Sequence, residues 1–252
     1  MAAGRADVLG VGFDRVGLRA AADAIAERLA RGERAFVITA NPEFIMLARR
    51  DEELAGIARD ADLVVPDGTG VVLAARLLGD PLPGRAPGRM LADLVLERAA
   101  REGWSVFFLG AGDGVAAHAA AALQARHPAL RVAGAESGSP EPSADEATVA
   151  RVAAAAPELL LVAYGMPQQE RWIARNLARL PSVRIAIGVG GVFDQLAGIG
   201  TVPPAVVHRL GLEWLWRLAR EPRRWRRQTA LLGFALLCVR ARFARKPADA
   251  PR

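Results

Sequence analysis

Short apolar runs alternate with longer stretches whose apolar positions recur at helical spacing. The runs at 35–39, 63–65, 105–109, 158–163 and 183–187 carry almost no polar interruption, the pattern of strands buried on both faces. Between them, stretches such as 114–126 and 168–180 are rich in Ala, Leu and Arg with helical periodicity. Strands alternating with helices in this way predict an α/β fold, a parallel sheet with helices on both faces. The segment 135–143, rich in Gly, Ser, Pro and Glu, reads as a loop. A second break falls at 198–204, where a glycine-rich strand end meets Pro203 and Pro204. The pattern therefore divides into a main domain, residues 1–198, and a helical, basic C-terminal appendage, residues 199–252.

The appendage has its own chemistry. Residues 213–227 hold three tryptophans (Trp214, Trp216, Trp225) and six arginines, with two acids among them. An apolar run at 230–239 follows, then a basic tail through Lys246. Between Arg217 and Lys246 there are ten basic residues and one acid, while the rest of the chain has 23 basic against 26 acidic residues. The net charge of +6 thus belongs to the C-terminal segment. Guanidinium forks bind phosphate oxygens, and indole rings suit a boundary between apolar and wet surroundings. A ten-residue apolar run is half of the roughly 20 residues that span a bilayer. Its basic flanks suit a helix lying on an anionic membrane surface, at the cytoplasmic face, as a peripheral attachment. The competing reading is an ordinary helix packed on the main domain or on another subunit. Nucleic acid is the other polyanion that arginines recognise, but the tryptophans are spaced with apolar residues and a long apolar run follows, so no nucleic acid is expected.

The main domain is read from its strand ends, because ligands of open parallel sheets gather at the carboxyl edge. Thr39 and Asn41 follow the first strand, as ligand-binding groups or as turn and cap residues. Asp67 follows the second; it suits a general base or a helix N-cap, and the local sequence favours the cap. Gly110-Ala111-Gly112-Asp113-Gly114 follows the third. Its glycines would let the backbone approach a diphosphate at a helix N-terminus, yet the third glycine comes too early for a dinucleotide fingerprint and Glu136 is a poor match for the ribose-binding acid. Gln169 and Glu170 open a helix after Pro167, with Glu170 complementing the helix dipole. Gly190 and Asp194 follow the fifth strand. His118, His127 and His208 lie near no Cys or acidic pair with metal-ligand spacing, so no metal site is read. The lone cysteine, Cys238, leaves no disulfide framework and fits a reducing compartment. Residues 1–10 carry no secretory signal.

Taken in order, Thr39-x-Asn41, Asp67-Gly68, Phe108-Leu109-Gly110, Gly165-x-Pro167-x-Gln169-Glu170, Gly188-x-Gly190-Gly191-x-Phe193-Asp194 and Glu213-Trp214-Leu215-x-Arg217-Leu218-x-x-Glu221-Pro222 closely resemble the WecG/TagA/CpsF glycosyltransferase family across roughly residues 8–230. The resemblance implies a Rossmann-like α/β domain whose C-terminal appendage closes over the active site. It implies an inverting transfer of a sugar from a UDP-sugar to a polyprenyl-diphosphate-linked sugar, in cell-wall or exopolysaccharide synthesis. Members act with N-acetylmannosamine, its uronic acid, glucose or glucuronic acid. Asp67 matches the proposed catalytic base, which reverses the local preference for a cap. Thr39 and Asn41 match active-site polar positions, and Gln169 matches the Gln of the Pro-x-Gln-Glu motif. Arg217, Arg224 and Arg227 match appendage arginines expected to reach the diphosphate. With arginines in that role the reading calls for no cofactor and no metal ion. Homo-oligomerisation is an expectation of the same kind.

Three positions depart from the family. Gln168 stands where Lys is usual, Gly88-Arg89-Met90 where Gly-Ser/Thr-Asp is usual, and Thr201-Val202-Pro203 where Arg-Ala-Pro is usual. A membrane-docked nucleotide-binding scaffold without transfer activity is the alternative they leave open. A nicotinamide-dependent oxidoreductase rests on the Gly110–Gly114 turn alone.

Overall fold

A computed structural model describes residues 4–199, 207, 216 and 225–244 of the 252-residue chain. The chain opens with an antiparallel hairpin of β1 (Ala6–Val8) and β2 (Val11–Phe13), joined through Leu9 and Gly10 at φ +55° and +95°. Two consecutive positive φ values give the turn the twist that hairpin strands require. Asp14, just beyond, donates its backbone N–H to the Val64 carbonyl (2.9 Å) and accepts the Val64 N–H at Oδ2 (2.7 Å). The hairpin thereby covers a sheet edge that would otherwise offer unpaired backbone groups.

From there the chain winds as expected for α/β. Helix α1 (Leu18–Ala30) leads to β3 (Ala35–Ala40), and α2 (Pro42–Ala48) with α3 (Glu52–Asp60) leads to β4 (Leu63–Pro66). Next come α4 (Thr69–Leu77), α5 (Gly88–Glu102) and β5 (Ser105–Gly110), then α6 (Val115–Arg126) and β6 (Arg131–Glu136). The main body ends with α7 (Asp145–Ala155), β7 (Leu159–Ala163), α8 (Gln168–Asn176), β8 (Ile185–Gly188) and the short α9 (Val192–Leu196). The six strands β3–β8 form one parallel sheet in the order β4-β3-β8-β7-β5-β6. Phe36, Ile38, Leu160 and Val162 point to the face covered by α2, α3, α7 and α8; Val37, Phe108, Leu161 and Ile187 point to the face covered by α1, α5, α6 and α9. Both faces are dry, which explains why the strands read as unbroken apolar runs.

All five expected strands are present, with ends shifted by a residue or two. The sixth, β6, was not expected, and it takes Ala135 and Glu136 from the segment read as a loop. It pairs only with β5 and all its positions are exposed or half-buried, so no apolar run marks it. Gly134 lies under Phe107, where a Cβ would meet the ring at 2.4 Å.

The apolar run at 230–239 lies within a 20-residue helix, α10 (Trp225–Ala244). Phe234 and Cys238 are buried against the core beneath α2 and α4, as the packed-helix reading expects. The opposite side is different: Leu232, Leu236, Val239 and Phe243, spaced four, three and four residues apart, form an exposed apolar stripe. Among the described residues, no helix is long and apolar enough to cross a membrane.

Candidate active site at the carboxyl edge of the sheet

The strand ends converge where the parallel-sheet rule places them. Ala40 and Pro66 are in register, and Asp67 donates its backbone N–H to the Ala40 carbonyl at 2.8 Å. Gly70 packs on Pro42, so the segments after β3 and β4 lie side by side. Ala86 donates its N–H to the Pro66 carbonyl (2.8 Å) and brings the 84–88 loop to the same place. Gly88, at the start of α5, admits no side chain without pressing Thr39 Oγ1, 3.0 Å from where a Cβ would stand. That hydroxyl in turn donates to the Gly188 carbonyl at 3.2 Å. Thr39, Asp67, Arg85, Gly88 and Gly188 therefore share one corner of the edge.

Asn41 serves as the N-cap of α2, its side-chain oxygen accepting the Phe44 N–H at 2.9 Å. Asp67 does not stand in the N-cap position of α4. The N-cap of α4 is Gly68, at φ +109°, with no side-chain cap bond. Only glycine adopts that φ readily, which displaces the carboxylate one residue upstream of the cap position.

Gln169 and Glu170 differ most from their expected surroundings. Both are buried, at 4% and 1% exposure. The Gln169 Oε1 accepts the Gly190 N–H at 2.9 Å, and its Nε2 donates to Glu170 Oε1 at 2.8 Å. Glu170 is thus no solvent-facing complement to the helix dipole. Burial raises its carboxyl from 4.5 to about 7, against the lowering effect of the Gln169 bond. Its Oε2 has no hydrogen-bond partner among the described residues.

Farther along the edge, β5 sends its connection toward β6 while β7 sends its own toward β8, opening the crevice typical of a topological switch point. Gly110 lies in it at φ +112°, and a Cβ there would stand 2.7 Å from the Ala163 carbonyl carbon. Gly110→Ala is expected to destabilise the fold by about 2 kcal/mol, read as a thermal midpoint lowered by roughly 4–8 °C; an unchanged midpoint would show that the close approach is absent. Gly112 is exposed in the same turn. Tyr164, just after β7, packs edge-on to Trp172, its hydroxyl held in the neutral form by burial first and by Glu136 second. Glu136 pairs with Arg151 at 2.7 Å. Asp194 occupies the first turn of α9, which packs against α6.

The structure therefore brings Thr39, Asn41, Asp67, Gln169 and Gly190 together; Gly110 and Gly112 follow β5, three strands from Thr39 on β3, about 14 Å at the usual strand spacing, but next to β7, whose end leads into Gln169. Arg217 and Arg224 lie outside the described residues; position 227 falls within α10. Sequence reasoning did not single out Arg85, and it gave Glu170 a helix-dipole role alone. Helical periodicity marks Glu170, which shares the buried stripe of Gln169, Trp172, Ile173 and Asn176. A single arginine in a Gly-Arg-Ala-Pro loop leaves no such mark. Among the described residues no cluster of His, Cys, Asp and Glu has the makings of a metal site. A groove of about 350 Å³ between α1 and α5, lined by Arg19, Asp23, Glu97, Arg98 and Arg101, lies against the helices and away from these strand ends. Arg98 and Asp23 already neutralise each other there at 2.6 Å.

Comparison with known proteins agrees with this geometry. The profile of the "Glycosyl transferase WecG/TagA/CpsF family" matches residues 6–248. An N-acetylglucosaminyldiphosphoundecaprenol N-acetyl-beta-D-mannosaminyltransferase of Bacillus spizizenii is 35% identical over 198 residues, covering 78% of this chain and 76% of the relative. Proteins of the same description from Bacillus subtilis, 31% identical over 82% of this chain and 79% of the relative, and from Staphylococcus aureus, 33% identical over 84% of each, are also similar. A six-stranded parallel sheet with its polar strand ends gathered at one corner, and a match over nearly the whole chain, together place this protein in the WecG/TagA/CpsF family of glycosyltransferases.

Proposed function

We propose that the protein transfers an N-acetylmannosamine-type sugar from a UDP-sugar to an N-acetylglucosamine carried on a polyprenyl diphosphate, with inversion at the anomeric carbon. The observation that carries this is the corner where Thr39, Asp67 and the Gly188–Gly191 turn meet, in a chain similar along most of its length to mannosaminyltransferases. The acceptor hydroxyl attacks the anomeric carbon while its proton passes to the Asp67 carboxylate. The bond from that carbon to the diphosphate oxygen breaks, and UDP departs with the electron pair. Charge building on the leaving diphosphate meets the backbone N–H groups of the glycine-rich turns and the guanidinium groups of Arg217, Arg224 and Arg227; such preorganised donors supply the largest catalytic term in many enzymes. Gly110 and Gly112, with Asp194 nearby, form the nucleotide end of the groove. Gln169 supports the turn that carries Gly190. The acceptor and the Asp67 end share the corner approached by Arg85.

The test is UDP release by the purified chain with a polyprenyl-diphosphate-GlcNAc analogue and a panel of UDP-sugars. Acceptor-dependent release with a HexNAc donor supports the reading. UDP binding without release from any donor would sink it in favour of a scaffold.

A lipid-linked acceptor calls for work at a membrane surface, and α10 supplies the means. Its exposed stripe is Leu232, Leu236, Val239 and Phe243, with Arg240 and Arg242 also exposed, and the neighbouring α4 exposes Leu73 and Leu77. We expect binding to vesicles rich in phosphatidylglycerol and little to neutral vesicles, since each basic residue near an anionic surface contributes about 1 kcal/mol. Replacing Leu236 and Phe243 together with Glu should weaken vesicle binding roughly tenfold or more. Unchanged co-sedimentation would remove α10 from this role.

A further inference from the structure

We propose that Glu170 is a positioning residue for the transfer site: it fixes which way the Gln169 amide points, and through that amide it holds the Gly188–Gly191 turn against Thr39. A glutamine amide has an acceptor end and a donor end of nearly the same shape, so either orientation fits the same space. Here the two ends face unlike partners. The Gly190 N–H needs an acceptor and receives Gln169 Oε1 at 2.9 Å. That leaves Nε2 facing the Glu170 carboxyl oxygen at 2.8 Å. Reversing the amide would set two donors against each other at Gly190 and, with the Glu170 carboxyl ionised, two acceptors against each other at Glu170. Both side chains are buried, at 4% and 1% exposure, so solvent does not offset a mismatched pair.

The consequence reaches the candidate chemistry by contact. A Cβ at Gly188 would lie 2.7 Å from Gln169 Nε2, so the amide rests directly on the turn's backbone. The carbonyl of that same Gly188 accepts the Thr39 hydroxyl at 3.2 Å. Glu170, Gln169, Gly190, Gly188 and Thr39 thus form one connected series from the inner face of α8 to the corner that holds Asp67. Gly190 itself has a φ of +54°, which glycine adopts readily, so the turn is held in place through its N–H bond to Gln169. Glu170 does not touch substrate in this account. It acts through Gln169.

The kinetic part of the test rests on the transfer reading; the structural part does not. Glu170→Gln keeps the shape and an acceptor oxygen for Gln169, whereas Glu170→Met keeps the volume and offers no comparable acceptor. Amide hydrogen exchange at Gly190 should be about tenfold faster in Glu170→Met, the scale of a lost buried hydrogen bond, and within about threefold of the parent in Glu170→Gln. Where the parent transfers sugar, kcat/KM should fall roughly tenfold in the Met variant and recover in the Gln variant. If the parent transfers nothing, the transfer reading fails while the exchange measurement still decides this proposal. Unchanged Gly190 protection in the Met variant, or equal loss in both variants, would overturn it. Should Glu170→Met not fold, a polarity swap serves instead. Gln169→Glu opposes two carboxyl groups and should expose Gly190 to exchange. Adding Glu170→Gln to it restores a donor and an acceptor in reversed order and should restore protection; equal exchange in the single and double variants would likewise overturn the proposal.

Discussion

Asp67→Asn is expected to lower acceptor-dependent sugar transfer about 10²–10⁴-fold, the usual loss when a positioned general base is removed. The substitution keeps the size and planar shape of the side chain while removing its charge, one acceptor oxygen and its capacity to take a proton. The backbone at this position is held independently, by the bond from the Asp67 N–H to the Ala40 carbonyl at 2.8 Å and by the β3–β4 register. Helix α4 has Gly68, at φ +109°, in its N-cap position. Asparagine keeps the shape and one acceptor oxygen, so any loss of stability should be within about 1 kcal/mol. The two readings of Asp67 separate cleanly on these numbers. A purely structural aspartate would give lower stability with kcat/KM scaling only with the folded fraction. A base gives the reverse: a nearly unaltered thermal midpoint, retained UDP binding and nearly abolished turnover. Transfer at a third or more of the parental kcat/KM would exclude Asp67 as the base.

How far the sequence disclosed all this depends on which physical signal each feature leaves. Strands β3, β4, β5, β7 and β8 are covered by helices on both faces, and burial on both faces writes an uninterrupted apolar run. The edge strand β6 has one neighbour and much exposure, so Arg131, Gly134 and Glu136 sit in it without conflict and hide it. The three-residue strands β1 and β2 are too short for periodicity; only Gly10, after a Val-Leu step, hints at their turn. Site positions were legible wherever topology alone determines them, since polar residues directly after buried parallel strands must emerge at one edge. Side-chain direction was less accessible. Asp67 and Asn41 both looked like caps, but Asn41 stands in the N-cap position of α2 while Gly68, not Asp67, stands in that of α4. Glu170 was masked because an acid in the first turn of a helix already has a sufficient explanation in the dipole, although its place among Trp172, Ile173 and Asn176 points inward.

That inward carboxyl leads to the second large effect, a pH dependence of stability with a definite sign. Glu170 titrates at about 7 in the folded chain, against 4.5 for the ordinary group, chiefly because burial disfavours its charged form. Among the described residues the neighbouring cations are engaged elsewhere: Arg171 is turned toward Asp51 and Glu53, and Arg175 toward Asp145. Below pH 4.5 both folded and unfolded chains hold the proton, and the group is neutral toward stability. Between 4.5 and about 7 the unfolded chain releases it while the folded chain retains it, so stability falls as pH rises. Above about 7 both are ionised and the loss is complete. At about 1.36 kcal/mol for each tenfold difference in proton affinity, the loss amounts to about 3 kcal/mol. Glu170→Gln removes this titration while preserving the acceptor for Gln169. The variant's stability relative to the parent should therefore improve by about 3 kcal/mol between pH 4.5 and about pH 8.5, a relative gain of roughly 6–12 °C in thermal midpoint for a chain of this size. Acid effects shared by both proteins cancel in that difference. Urea unfolding of the two proteins across the range provides the measurement, and a difference that stays flat with pH would show that the Glu170 carboxyl is not buried against its charge.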